Sequence, residues 1–270
     1  MTFATKAALD AARKLRVIYQ KVVSITGSYQ ARATPFAAAG FPAPGTLAGA
    51  NTANGVFPVS GDPGFPVLPS FGGLEGYVSF LEAQPALNSL RSSWLYDMLF
   101  KAGAYTAGVS VDVTLASQPS FAGRVPGTDY KGLEIWIEAS TTFVGTAVVT
   151  IDYEDENSNA QSVSTTLLAA MDTGRLQRAN MASAGVSKIT RVRESGSTGG
   201  AFNVLVMRRI ANILTGTQLS SSASVGFGLA PNSFLATGLP RVYDTSALYF
   251  VGDSLSGSRT ISFNLEIALK

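Results

Sequence analysis

The sequence contains neither cysteine nor histidine. Without cysteine there is no disulfide framework, no thiolate nucleophile and no cysteine-based zinc or iron–sulfur site; the redox compartment is left open. Without histidine the chain lacks the side chain that titrates near neutrality and most often serves as general base or metal ligand. No apolar run of roughly eighteen residues occurs, so no transmembrane helix is expected. A net charge of +2 is too near balance to direct the whole surface toward nucleic acid.

What is present is a chain of 270 residues, 46% of them hydrophobic, enough for one large all-β domain or two smaller ones. Its charge is uneven. Lys6, Arg13, Lys14, Arg16, Lys21 and Arg32 stand against Asp10 alone within residues 1–32, and the remainder is net acidic. Arg13, Lys14 and Arg16 interrupt the stretch that a secretory signal would keep apolar, and the chain reads as a soluble one.

Three regions follow from composition and period. Residues 1–26 read as an amphipathic helix, because Ala4, Ala8, Ala11, Leu15, Ile18 and Val22 are spaced by four and three along one seam. Residues 27–73 hold nine glycines and seven of the twelve prolines, which excludes long helices and central strands. The segment also carries Phe36, Phe41, Phe57, Phe65, Leu68 and Phe71, so it reads as an extended arm or strap that buries one apolar side chain after another. Residues 74–270 adopt a period of two, as in Val109, Val111, Val113 and Leu115, in Ala147, Val149, Ile151 and Tyr153, and in Ile261, Phe263, Leu265, Ile267 and Leu269. About ten strands joined by Gly-, Ser- and Asn-rich turns predict an antiparallel β-sandwich, with a jelly roll as one form of it. Residues 85–99 also fit a helix.

Several strings invite a chemical reading. Gly252, Asp253, Ser254 and Leu255 spell the nucleophile motif of one large esterase group. Here, however, the motif lies near the end of a β-rich chain with no histidine to activate the hydroxyl, and it reads as a turn. Glu134, Trp136 and Glu138 share one strand face, yet four residues of strand hold the carboxylates roughly 13 Å apart, beyond either glycosidase geometry. A solvent-facing or inter-subunit polar face is expected instead. Asp152, Glu154, Asp155, Glu156, Asn157 and Asn159 offer calcium-type oxygen atoms without the spacing of an EF-hand, and read as an acidic hairpin tip. GFGLAPN at 226–232 lacks the third glycine of a dinucleotide fingerprint. Arg191, Arg193, Arg208 and Arg209 read as cross-strand partners of carboxylates. No catalytic residue, metal or cofactor is expected.

The words WLYDMLFKAGAY, TDYKGLEIWIEAS, GTAVVTIDYEDENSNAQS and GAFNVLVMRRIA, in this order between residues 94 and 211, resemble a family of virion structural proteins of tailed bacteriophages. The chain departs from that pattern after Asp172, where it reads RLQRANMASAG. The resemblance implies a capsid-associated or connector-associated protein located in the virion and carries over no functional residue. The expected role is a decoration, cement or minor capsid protein that binds the major capsid protein or other virion proteins, with the neck, tail or fibre base as the alternative position. A homo-oligomer is expected, a trimer in particular, with neither nucleic acid nor membrane as partner. Ala11, Leu15, Ile18 and Val22 on the helix, and Phe41, Phe57, Phe65 and Phe71 on the arm, are the candidate interface residues. A carbohydrate-binding sandwich using Trp136 is the remaining alternative.

Overall fold

A computed structural model describes residues 6–25, 32–49, 51–85, 92–109, 111–196, 199–214, 239–252 and 257–270. These residues form a mainly β protein with antiparallel, sandwich-like sheets and one short helix, α1 (Lys6–Ala11). The strands are β1 (Arg13–Ile25), β2 (Arg32–Ala33), β3 (Ala39–Phe41), β4 (Gly76–Pro85), β5 (Ser92–Thr106) and β6 (Asp112–Thr114). They continue with β7 (Leu133–Val144), β8 (Val148–Glu154), β9 (Ala160–Thr166), β10 (Arg175–Arg178) and β11 (Lys188–Ser195). The last are β12 (Gly199–Leu214), β13 (Arg241–Val242), β14 (Leu248–Gly252) and β15 (Gly257–Leu269).

The middle of the molecule is a closed barrel in the order β10-β2-β14-β5-β12-β7. A five-stranded sheet, β13-β4-β15-β1-β3, flanks one side of it, and a four-stranded sheet, β6-β11-β8-β9, flanks another. Strand alternation builds the three largest apolar cores from this arrangement. Val17, Phe263, Leu265 and Ile267 of the first sheet pack against Leu95, Leu248 and Phe250 on the barrel wall. Val149, Ile151 and Val192 of the second pack against Ile135, Ile137 and Val204. Trp136, Tyr96, Met207 and Tyr249 fill the barrel itself.

Among the described residues the expected N-terminal helix is confined to α1, and residues 13–25 form a strand paired with β15 along its whole length, from Arg13 opposite Leu269 to Ile25 opposite Gly257. The segment carries two periods at once. Leu15, Val17 and Tyr19 alternate, and the β-branched Val17, Ile18, Val22, Val23 and Ile25 favour a pleated strand. Pairing with β15 and burial of one face against the barrel decide in favour of the strand: Val17 and Tyr19 face inward, whereas Ile18 and Val22 face outward. The helix alternative at residues 85–99 likewise gives way to β5 from residue 92 onward.

The Gly/Pro-rich segment folds onto its own body. Phe36, Leu47 and Phe65 enter the barrel core beside Tyr249, while Leu68 and Phe71 join the core under the five-stranded sheet. Its backbone finds few strand partners, and side chains of the body take its carbonyl oxygens instead. The Lys21 ammonium, fully buried, donates to Pro42 O at 2.6 Å, Ala38 O at 3.1 Å, Ala43 O at 3.2 Å and Phe36 O at 3.5 Å. Lys101 donates to Thr46 O at 3.0 Å, Asn203 to Leu47 O at 2.7 Å and the Tyr105 hydroxyl to Thr52 O at 2.8 Å. Arg124 reaches Pro58 O at 2.6 Å and also holds Met98 O and Thr245 O of the body. Close approach demands glycine at Gly45 and Gly64, where an added methyl group would overlap the Phe36 ring.

Two outcomes are expected. Burial pushes Lys21 down to about 8, so between that pH and the ordinary lysine range the folded chain binds fewer protons than the unfolded one, and the contribution of this group to stability rises with pH. Lys21→Met should lower thermal stability by about 1–3 kcal/mol through its orphaned carbonyls. In paired melts the gap to the parent should widen from about pH 7 to about pH 9.5; a gap that narrows would contradict the assignment. Burial also raises the phenols of Tyr19, Tyr96, Tyr105 and Tyr249, and pushes Tyr77 up to about 12. Their stabilisation is complete below the unfolded tyrosine pKa of about 10 and is lost as pH rises above it. Of the nine tyrosines, Tyr19, Tyr96, Tyr105 and Tyr249 should ionise only with unfolding, read by tyrosinate absorbance.

Candidate functional site

Closure of the barrel decides the fate of the Glu134, Trp136 and Glu138 face. The expectation of a polar outer face is overturned, because these three side chains of β7 point into the barrel, where Trp136 and Glu138 are fully buried and Glu134 nearly so. Burial of a carboxylate requires donors, and each has them. Glu138 accepts from the Tyr249 hydroxyl and from Asn203 Nδ2 at 2.7 Å, with Lys101 Nζ at 3.6 Å. Glu134 accepts from Trp136 Nε1 at 3.0 Å and Tyr96 Oη at 3.1 Å, and pairs with Arg178 at 3.3 Å. A sealed Trp136 offers no stacking platform for a sugar.

Beyond the barrel, the charged strings have structural partners. Asp155 closes the β8–β9 turn by accepting from the backbone of Asn157 and Asn159 and from Gln161, which holds its pKa below the ordinary range, the Asn159 backbone bond being the largest cause. Asp152 takes Arg193 at 2.6 Å and Ser162 at 2.7 Å, and Glu154 lies 3.5 Å from Lys188. Among the described residues no group of three or more acidic side chains could hold a metal ion. The cross-strand reading of the arginines fits Arg191 with Asp112 and Arg193 with Asp152. Arg208 likewise meets a carboxylate across strands, the directly opposed Asp97 of β5, at 3.2 Å, while Arg209 is exposed. Ser254 and residues 226–232 lie outside the described residues, whereas Gly252 ends β14.

The eight interface candidates separate into two groups. Phe65 and Phe71 are buried in this chain's own cores, and Phe57 is half-buried with its ring 4.0 Å from the Arg124 guanidinium. The burial of Phe65 and Phe71 leaves these two rings no surface to offer a neighbour. Ala11 is exposed and Leu15 half-buried at the edge of the core. Ile18, Val22 and Phe41 are 55%, 49% and 61% exposed, values large enough to make them available to a partner. Pairing gathers them on one face: Gln20 lies opposite Phe41, Val22 opposite Ala39, and Ile18 opposite Asn264.

Next to them runs a groove of about 280 Å³ lined by Arg16, Ile18, Phe80, Glu82, Asn264 and Glu266. Glu266 serves both Lys14 at 3.1 Å and Arg16 at 3.9 Å, and Glu82 takes Asn264 at 3.0 Å. Phe80 and the β15 polar residues were not singled out from sequence, because their membership of this face depends on which strands β1 neighbours. β3 covers only Gln20–Val22, so Arg13–Tyr19 form an edge with no further strand among the described residues.

No family model matches the chain, and no curated protein matches it. Two solved structures share weak similarity. One, the structure of infectious bursal disease virus Gx strain, is 12% identical with a TM-score of 0.20, covering 73% of this chain and 41% of that one. The other, the crystal structure of the infectious bursal disease virus VP2 subviral particle, is 9% identical with a TM-score of 0.22, covering 100% of this chain and 83% of that one. This chain thus spans less than half the length of the first. Likeness at TM-scores of this size is too slight to bear on what the chain does.

Proposed function

We propose that this chain is a structural component of a viral particle, a shell-associated decoration or minor capsid protein that works by gripping neighbouring proteins. Two independent features support the reading. The first is the ordered set of motifs from WLYDMLFKAGAY to GAFNVLVMRRIA, similar to virion proteins of tailed phages. The second, which carries the proposal, is the outer face of the five-stranded sheet, where Ile18, Val22 and Phe41 are exposed beside an open strand edge. Exposed apolar side chains gathered on one face mark a contact surface more than scattered ones do. Each large apolar side chain withdrawn from water on assembly contributes roughly 1.5–3 kcal/mol, and repetition over a lattice adds these through linked binding.

The reading revises the expected mode of contact. The described part of the strap is committed to its own body, so the sheet face, with the exposed ring of Phe41 beside it, takes over the role that the sequence assigned to an arm and a helix. The partner is the major capsid protein or a second copy of the chain.

The test is a double substitution, Ile18→Thr with Phe41→Thr, which keeps β-compatible residues on an exposed face and should change stability by no more than roughly 0.5 kcal/mol. Labelled parent protein should decorate the whole shell in electron micrographs of particles, and the variant should fail to join them. Label confined to one vertex would move the protein to the neck or tail. Incorporation of the variant at the parent level would refute the assigned face.

A further inference from the structure

The barrel has two unlike ends. Strap residues Phe36, Leu47 and Phe65 fill the one near Tyr249 and Glu138. The other end, where β2, β5 and β7 begin and β10, β12 and β14 finish, carries charge. Arg32 of β2 sits opposite Leu176, Arg178 of β10 opposite Trp136, and Arg209 of β12 opposite Tyr96, so all three arginines share the inward face of the barrel wall. Glu134 of β7 stands opposite Met207 on the same face. Among the described residues, the rim thus sets the guanidinium groups of Arg178 and Arg209 against the carboxylate of Glu134.

The four are not equivalent. Arg32 is held over Trp94 at 4.1 Å and Trp136 at 5.1 Å. Glu134 is anchored by Trp136 and Tyr96 and takes one bond from Arg178, whose side chain stays about half exposed. Arg209 is exposed and forms no ion pair among the described residues. Between Arg178 and Arg209 lies a cleft of about 170 Å³, also lined by Gly132, Leu133, Glu134 and Met181. An anchored carboxylate fixes one guanidinium fork, a second fork stands free across the gap, and the apolar Leu133 and Met181 strengthen any charge interaction formed between them.

We propose that this barrel mouth binds an oxyanion, a carboxylate or phosphate group, between the guanidinium groups of Arg178 and Arg209. The excess of cations selects for negative charge. The planar donor forks favour paired oxygens over a monatomic anion, and mouths of β-barrels are recurrent ligand positions. The site lies in the barrel rather than on the outer sheet face, so it stands whether or not the chain joins a particle.

The sequence supplies its own probe, since both of its tryptophans, Trp94 and Trp136, belong to this end of the barrel. The intact chain is titrated with acetate, inorganic phosphate and neutral acetamide at constant ionic strength set by chloride, while the two indole N–H resonances are followed. Acetate or phosphate should shift the Trp136 resonance saturably, the tighter of the two identifying the ligand as carboxylate or phosphate, and acetamide should leave it in place. Arg209→Gln should weaken that binding about tenfold or more at unchanged thermal stability, whereas Arg16→Gln on the far sheet should not. Resonances that neither anion moves, an Arg209→Gln variant that titrates like the parent, or an equal loss from Arg16→Gln would each overturn the site.

Discussion

The fold depends on donor side chains that reach out of regular strands to satisfy a segment that cannot satisfy itself. Proline and glycine leave residues 32–73 with carbonyl oxygens but few neighbouring strands, and an unpaired buried carbonyl is costly. Five side chains, those of Lys21, Lys101, Tyr105, Arg124 and Asn203, take eight of these oxygens. Phe36, Leu47 and Phe65 can then complete the barrel core. The cations are in turn tied to the body: Lys101 faces Glu138 at 3.6 Å and Arg124 faces Asp97 at 3.4 Å. Among the described residues the acceptors of Lys21 are all carbonyl oxygens, and burial lowers its pKa.

Strand alternation was legible in the sequence wherever one face is buried and the other wet. Ile261 to Leu269 point inward at every second residue, as their pattern requires, and Arg191 and Arg193 find carboxylates across strands. The N-terminal strand was not legible, because Ala8, Ala11, Leu15, Ile18 and Val22 satisfy a helical period by coincidence. Lys21, an inward residue, also breaks the alternation that would have revealed the strand. Local sequence cannot distinguish a lysine caged by carbonyls from one in water when those carbonyls lie fifteen to twenty-two residues away.

The same reason hid the inside of the barrel. The sequence placed Glu134, Trp136 and Glu138 on one face of a strand but could not say what that face meets. Closure through β10, β2 and β14, two of them very short, turns that face inward and brings Arg178 and Arg209 together across the mouth. The strap's apolar spacing was legible, since Phe36, Phe65, Leu68 and Phe71 are all buried. Its partner was not, and this chain's own barrel takes the place of a neighbouring subunit. Of the expected interface residues, Ile18, Val22 and Phe41 are the large apolar ones that stay exposed.

Native-state proteolysis tests the central dependence most directly. Thermolysin, which cuts beside exposed apolar residues, is applied to the folded chain while tryptophan emission reports on the barrel. If donors from the body hold the strap, cleavage between residues 36 and 66 should occur only at the rate of global unfolding. Rapid cleavage there with the barrel still folded would contradict the account.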